Sequence, residues 1–337
     1  MIGSLEGEPP AQQRRRRTPR VEEELKRTII AGVALALMTG SSMAANIGVT
    51  MALFDDNFLT VLRNGIQTYA SENGHTVQIE DAQNDVAKQL DQINNFIASG
   101  VDAIIVNPVD TSATQAMTDA AAAANIPLVY VNRQPINLDT LPDNQAFVAS
   151  NEVDSGTLET IEVCRLLKEM GKDPANVYIM MGELSNQAAV QRTQDIHDVV
   201  AAGKCAVTLN IIDQQTANWR RDEAQNLMTN WLSTNTPFDA VISNNDEMAI
   251  GAIQAMKAAG IDMASVVVGG VDATQDALAA MQAGELDVTV FQNAAAQGSG
   301  SVEAAAKLAA GEPVEKEVWV PFELVTPANI NDYLQRN

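Results

Sequence analysis

The feature that most constrains this chain is an alternation. Short apolar runs stop at polar clusters, and each is followed by a stretch whose apolar residues recur three or four apart. Residues 238–272 show the unit in full. The apolar run 240–243 is broken by Asn244-Asn245-Asp246, after which Met248, Ile250, Ile253 and Met256 recur at helical spacing. Asp246 stands where a helix N-cap belongs, and Gly260 stands where a glycine closes a helix. Val266-Val267-Val268 then opens a second strand that ends at Gly269-Gly270-Val271-Asp272. A strand–helix–strand unit of this length makes a parallel sheet. Its polar residues gather at the strand ends, the edge at which open α/β sheets bind ligands.

The unit recurs about every 25–30 residues, the βα alternation of a doubly wound sheet. Strands are predicted over 47–53, 77–80, 103–106 and 127–131, with helices over 59–73, 88–97 and 113–123. A second series has helices over 156–170, 189–201, 275–283 and 298–310, and a further helix through Leu227 and Trp231. Its strands are predicted over 177–181, 207–213, 240–243, 266–268 and 288–291, with a late strand over 317–322. Two series of similar size predict an α/β fold of two Rossmann-like lobes with parallel sheets.

Charge narrows the function. Of 21 Lys and Arg and 43 Asp and Glu, seven basic and five acidic residues fall in the first 45 positions, which leaves the remainder at −24. Such a body lacks the clustered cations that phosphate backbones and anionic lipids require. Within those 45 residues, Lys26-Arg27, the apolar run 29–38 and the small residues 41–45 read as a secretory signal. The apolar run is half the ~20 residues that span a bilayer. Cleavage is expected after Ala44 or Ala45, with residues 1–45 as a leader; residues 1–24 carry no functional weight. No cysteine lies near the cut, which argues against a lipid anchor. Cys164 and Cys205 are the two cysteines of the chain. In an oxidising compartment they form either a disulfide or two buried thiols, and spacing does not decide which.

Catalytic signatures are missing. His75 lies in a Gly-His turn and His197 beside Asp195 and Asp198, both positions expected to be solvated. There is no HExxH, CxxC, P-loop or GxSxG, and Gly298-Ser299-Gly300 lacks the third glycine of a dinucleotide fingerprint. Nothing pairs a nucleophile with a base, so the chain is read as no enzyme and no cofactor is expected.

With both lobes laid out, the chain resembles the periplasmic sugar-binding proteins of the galactose/ribose-binding class, the type I periplasmic binding proteins that serve ABC importers. The segments that carry the resemblance are IGVTMALFDDNF, NPVD, VNRQP, ANWRRDEAQNLMTNWL, SNNDEMAIGAIQAMKAAG, GGVDATQDAL and TVFQNAAAQG. GELSNQAAVQRT and VTPANI resemble the subgroup for inositol and the inositol-derived rhizopines. The resemblance implies two lobes joined by three hinge crossings near Asn132, Gln292 and Val325. The N-terminal lobe is then 46–131 plus 293–325, and the C-terminal lobe 132–292 plus 326–337. It also implies a periplasmic monomer that closes on a small neutral polyol or sugar and delivers it to an inner-membrane permease. A neutral cyclitol, myo-inositol first, is the expected ligand; a rhizopine or a pentose such as ribose is the alternative.

Carried over residue by residue, the resemblance makes Asp56 a hydroxyl acceptor, Phe58 an aromatic platform and Asn107 a hydroxyl contact. Arg133 is a basic ligand after the fourth strand, Asn186 a further contact, and Arg192 the arginine that spans two hydroxyls. Trp219 is the second stacking ring, Asn245 and Asp272 are paired acceptors, and Gln292 sits at the hinge. The chemistry is that of a polyol: an aromatic ring takes the C–H face, and charged or amide groups bind the hydroxyl rim. Asp56, Asp272, Arg133 and Arg192 sum to zero charge, which suits a neutral ligand.

Each residue also has a plainer use. Asp56 suits a helix cap, Phe58 and Trp219 suit the core, and Arg192 suits a surface ion pair with Asp195 or Asp198. Asn107 and Gln292 suit backbone groups at strand ends. Of the two cap-like residues, Asn245 is assigned to ligand and Asp246 to the cap. Ala188 and Asn186 depart from the aspartate and histidine of the galactose type, and Ala52 replaces a tyrosine, which argues against galactose or glucose. Residues 171–175 are too short and too poor in acids for the galactose type's calcium loop, so no metal is expected. A sugar-responsive transcription regulator core shares this architecture, but it needs a helix-turn-helix and a basic face. A sugar-modifying enzyme would need an acid/base pair.

Overall fold

In the computed structural model, Gly3 and residues 44–336 are described. Apart from Gly3, Ala44 and Ala45, the expected leader lies outside the described residues. From Ala44 onward the chain forms one unit. It opens with β1 (Asn46–Met51), α1 (Asn57–Glu72), β2 (Thr76–Asp81), α2 (Val86–Ser99), β3 (Ala103–Val106), α3 (Thr114–Ala123), β4 (Leu128–Val131) and β5 (Gln145–Ala149). Next come α4 (Glu152–Glu169), β6 (Ala175–Met181), α5 (Gln187–Ala201), β7 (Leu209–Thr216), α6 (Arg221–Ser233), β8 (Ala240–Ser243), α7 (Asp246–Ala258) and β9 (Val267–Gly269). The chain continues through α8 (Gln275–Gln282), β10 (Thr289–Phe291), α9 (Ala294–Ala309), β11 (Glu317–Trp319) and β12 (Glu323–Val325).

Two sheets follow from the alternation. The first has strand order β11-β5-β4-β3-β1-β2, with every pairing parallel. The second has order β7-β6-β8-β9, also parallel, beside the antiparallel pair β10-β12. Parallel strands are covered by helices on both faces, and β3, β4 and β8 are accordingly buried at every position. One face of the first sheet packs Leu59, Leu62 and Ile66 of α1 against Ile47, Val49 and Val302. The other face packs Ile93, Phe96 and Met117 against Ile104, Tyr130 and Phe147. Glycine sets one close approach: a Cβ on Gly298 of α9 would lie 2.5 Å from the Leu62 carbonyl oxygen, so α1 and α9 touch backbone to backbone.

Three short stretches cross between the sheets: residues 150–151 between β5 and α4, 292–293 between β10 and α9, and 320–322 between β11 and β12. The second contains Gln292. The first differs from expectation. The sequence pattern carries no strand over 145–149 and puts the crossing near Asn132, yet β5 pairs in parallel with β4 and extends the first sheet. Residues 132–149 therefore belong with the first sheet. The third crossing precedes Val325, which sits in β12 against Thr289.

Cys164 in α4 and Cys205 after α5 are bonded, with Cα atoms 5.3 Å apart across 41 residues of chain. Of the two alternatives left by the sequence, the structure contains the disulfide. Closing a loop of this length stabilises by roughly 4 kcal/mol in the chain-entropy model. The double substitution Cys164→Ala with Cys205→Ala is expected to lower the unfolding free energy by roughly 3–4 kcal/mol in urea titration. An unchanged denaturation midpoint would contradict this.

Candidate functional site

The C-terminal ends of the strands in both sheets face a common cleft, and the loops leaving them line a buried pocket. Asp56 and Phe58 follow β1, Asn132 and Arg133 follow β4, and Asn186, Ala188 and Arg192 follow β6. Trp219 follows β7, Asn245 follows β8, Asp272 follows β9 and Gln292 follows β10; Leu59 and Glu152 complete the lining. The pocket thus gathers every residue assigned to ligand from the sequence except Asn107.

Asn107 is a correction. It is fully buried at the end of β3; its Oδ1 accepts from the Ala52 N–H at 3.3 Å, and its Nδ2 donates to the Val131 carbonyl and to Asn132 Oδ1, each at 3.3 Å. It binds adjacent strand ends together, the plainer of its two uses. The cap assignment at α7 also reverses. Asn245 is the N-cap, accepting from the Met248 N–H at 3.0 Å, while it also lines the pocket. Asp246 is buried inside the first turn, where Oδ1 accepts from Thr289 Oγ1 at 2.7 Å and Oδ2 from the Thr274 N–H at 2.9 Å.

That bracing has a use. Asp272 and Ala273 hold φ of 122° and 52°, conformations that L-residues rarely adopt and that persist only when surroundings enforce them. Asp246 ties the far end of this turn to β10 and so fixes where the Asp272 carboxylate sits. Trp219 is held in a similar way at φ 66°, lying over Gly182, where a Cβ would come within 2.2 Å of its ring. Asp56 caps α1 by accepting from the Leu59 N–H at 2.7 Å while it lines the pocket, so its two uses coexist. Asn186 does the same for α5, accepting from the Ala188 N–H at 3.2 Å.

Arg133 is buried and donates through Nη1 to the carbonyls of Pro108 at 3.0 Å and Val109 at 3.3 Å. Arg192 is the most connected group. It is buried, not at the surface, and its partner is neither Asp195 nor Asp198. Nε donates to Glu152 Oε2 at 2.7 Å, Nη2 to Glu152 Oε1 at 3.1 Å and to Gln292 Oε1 at 3.3 Å, and Nη1 to the Asn244 carbonyl at 2.7 Å. Asp272 Oδ1 lies 3.8 Å from Nη1, and the Trp219 ring centre lies 5.6 Å from Cζ. Glu152 is not legible from helical spacing, which starts α4 at 156 where the structure starts it at 152. The signal was present in Asn151 followed by Glu152 and Asp154, an N-cap with acids in the first turn.

Burial sets the protonation of these groups. It raises Asp56, a shift held back by the Leu59 N–H and Arg133, and it raises Asp272 far more, against the pull of Arg192. Burial also works against the charge of Arg192, but Glu152 and Asp272 outweigh it and hold the guanidinium firmly protonated. Asp195, on the same helix, is pushed up to about 7 by burial, helped by Glu152 and Asp198 and offset by the Gln191 amide and Arg192.

Four hydrogen bonds close the cleft over the pocket. Asn57 Nδ2 donates to Glu247 Oε1 at 2.8 Å and Asn84 Nδ2 to Glu183 Oε1 at 3.1 Å. The Thr111 N–H and hydroxyl both donate to the Ser185 carbonyl at 3.0 Å. Among the described residues no group of His, Cys, Asp and Glu is arranged to hold a metal ion.

Residues 47–313 match the model of the periplasmic binding protein domain, and the chain belongs to that family. It is 60% identical over 314 residues to a protein of Rhizobium meliloti provisionally named a rhizopine-binding protein, covering 93% of this chain and all of that one. It is 30% identical to the ribose import binding protein of Bacillus subtilis, over 86% of this chain and 89% of that one. Among solved structures, an ABC transporter solute-binding protein of Bacillus halodurans with bound myo-inositol is 40% identical. That match has a TM-score of 0.81 and covers 89% of this chain and all of that one. The Caulobacter myo-inositol binding protein with bound myo-inositol is 29% identical, with a TM-score of 0.77 over 87% of this chain and 96% of that one.

Asp195 supplies a pH test of this frame. A carboxyl raised from 3.8 to about 7 by folding contributes stability that is complete below the lower value and is lost as pH rises through the upper one. Asp195→Asn, which fixes the neutral form, is therefore expected to melt about 2 °C or more above the parent at pH 8 and level with it near pH 4. A difference independent of pH would contradict the assignment.

Proposed function

We propose that this chain is a periplasmic receptor of an ABC importer that binds a neutral cyclitol, myo-inositol first, in the cleft between its two sheets. The observation that carries the reading is the pocket's composition. Phe58 comes from one lobe and Trp219 from the other, and the rim is built of Asp56, Arg133, Arg192, Asp272, Asn245 and Gln292. Rings for a C–H face and fixed charged groups for hydroxyls are what a polyol requires, and little else does. The two myo-inositol-bound relatives support the cyclitol over a pentose. Ala188 lines the pocket where the galactose type offers an acid, which supports exclusion of galactose. The signal segment supports export, with a mature chain beginning at Ala45 or Asn46, and an inner-membrane permease as the partner of a monomeric receptor.

One observation favours a second reading. Glu152 brings the pocket to three carboxylates against two guanidinium groups, an acid more than Asp56, Asp272, Arg133 and Arg192 alone. A cyclitol bearing a protonated amine would draw Asp272 into its ionised form and balance the third carboxylate, and the Rhizobium meliloti relative's name points the same way.

Calorimetry with the exported protein tests both readings. The panel is myo-inositol, scyllo-inositol, an amino-deoxy-inositol, galactose, glucose, ribose and xylose; the intact mass of the exported protein reads the cleavage site. Micromolar or tighter binding of an inositol with galactose silent is expected, and Arg192→Ala and Asp272→Ala are each expected to weaken it about 100-fold. An amino-inositol bound more than tenfold tighter than myo-inositol would establish the second reading. Tight galactose binding, or unchanged affinity in both variants, would overturn the site.

A further inference from the structure

Arg192 meets residues in two of the crossings between the lobes and the residue that directly follows the other. Glu152, which takes Nε at 2.7 Å and Nη2 at 3.1 Å, is the first helical residue after the crossing at 150–151. Gln292, whose Oε1 accepts from Nη2 at 3.3 Å, lies in the second crossing. Phe322, with its ring centre 5.8 Å from Cζ, lies in the third. The same guanidinium lines the pocket beside Asp272 and Trp219. We infer that the Glu152–Arg192 pair couples occupancy of the pocket to closure of the lobes, with Glu152 as a positioning residue that acts through Arg192. The inference rests on the receptor reading above.

The geometry explains how. A guanidinium is a planar fork whose donors cannot turn independently. Glu152 locks one edge of the fork, and the Ser155 hydroxyl in turn holds Glu152 Oε2 at 3.1 Å. Both charged side chains are about 5% exposed, so separating them would leave two uncompensated charges in a dry site. An opening motion rotates the backbone at 150–151, 292–293 and 320–322. It must therefore shift Gln292 and Phe322 relative to Arg192, while Glu152, whose helix α4 packs on α5, keeps the guanidinium aimed at both. A ligand that holds Arg192 in place holds the three crossings in their closed arrangement, which is the differential affinity a population shift requires.

The test separates closure from binding. Spin labels are placed at Asn94→Cys on α2 and Asn226→Cys on α6, exposed positions in different lobes. The cysteines among the described residues are already paired, so the new thiols label selectively. Distance distributions are recorded with and without myo-inositol at concentrations that calorimetry shows to be saturating. The parent is expected to be closed when saturated. Glu152→Gln, equal in size but uncharged, is expected to keep an open population when saturated, with the closed-to-open ratio about tenfold lower. A purely structural role for Glu152 would weaken affinity or stability and leave the saturated variant fully closed, and that result overturns the inference. Should Glu152→Gln fail to fold, Phe322→Leu at the third crossing is expected to shift the ratio the same way by a smaller amount, and full closure there overturns it. A parent that takes up no panel compound contradicts the receptor reading instead. The ligand-free distributions then decide: a lower closed fraction in the variant supports the coupling, and equal distributions overturn it.

Discussion

Four ionisable side chains, Arg133, Glu152, Arg192 and Asp272, are buried together between two sheets beside the half-buried Asp56, and the rest of the site is arranged around making that tolerable. A buried charge is retained only when paired or held by hydrogen bonds. Arg192 meets this condition through Glu152, the Asn244 carbonyl and Gln292, and Arg133 through the carbonyls of Pro108 and Val109. Asp56 meets it through the cap of α1. Burial costs the charged form of Asp272 most, raising it well above the usual carboxylate range against the pull of Arg192 at 3.8 Å. A polyol hydroxyl or an amine at this point would relieve that cost, so the site is poised for a donor-rich ligand.

Rigidity at the strand ends makes this possible. Short loops from the two parallel sheets and β10 bring side chains from eight strand ends to one place without a long excursion of chain. Where a loop must bend sharply, the strain is held in place by neighbours. Asp246 braces the turn at Asp272, Asn107 laces the ends of the first sheet's strands, and Gly182 leaves room for Trp219. None of these three residues lines the pocket, yet they decide where its functional groups point.

Much of the fold was legible because each βα unit carries its own signals: an apolar run, a cap-type residue at the strand end, an apolar face at helical spacing, a closing glycine. β5 was not legible. Gln145-Ala146-Phe147-Val148-Ala149 is five residues long and is not followed at once by a recognised helix, because α4 begins earlier than its apolar face suggests. That single omission moved the first crossing to Asn132 and hid Glu152. The exchange between Asn245 and Asp246 has a different cause. Both side chains can cap, and the choice was made by Thr274 and Thr289, which are distant in sequence and claim the aspartate. Asn107 looked like a ligand because it sits at a strand end, but a strand end also leaves backbone groups to satisfy. The disulfide was open for a similar reason, since the distance between Cys164 and Cys205 is a property of tertiary packing and not of spacing.

The central claim is that the two lobes close on a cyclitol held by charged groups from both sides. The most direct measurement is a crystal structure of the exported chain grown with myo-inositol. One ring is expected in the pocket, contacting Phe58 and Trp219, with hydroxyls within hydrogen-bond distance of Asp56, Arg133, Arg192 and Asp272. A ring bound outside this pocket, or one within it that leaves both Arg192 and Asp272 untouched, would contradict it.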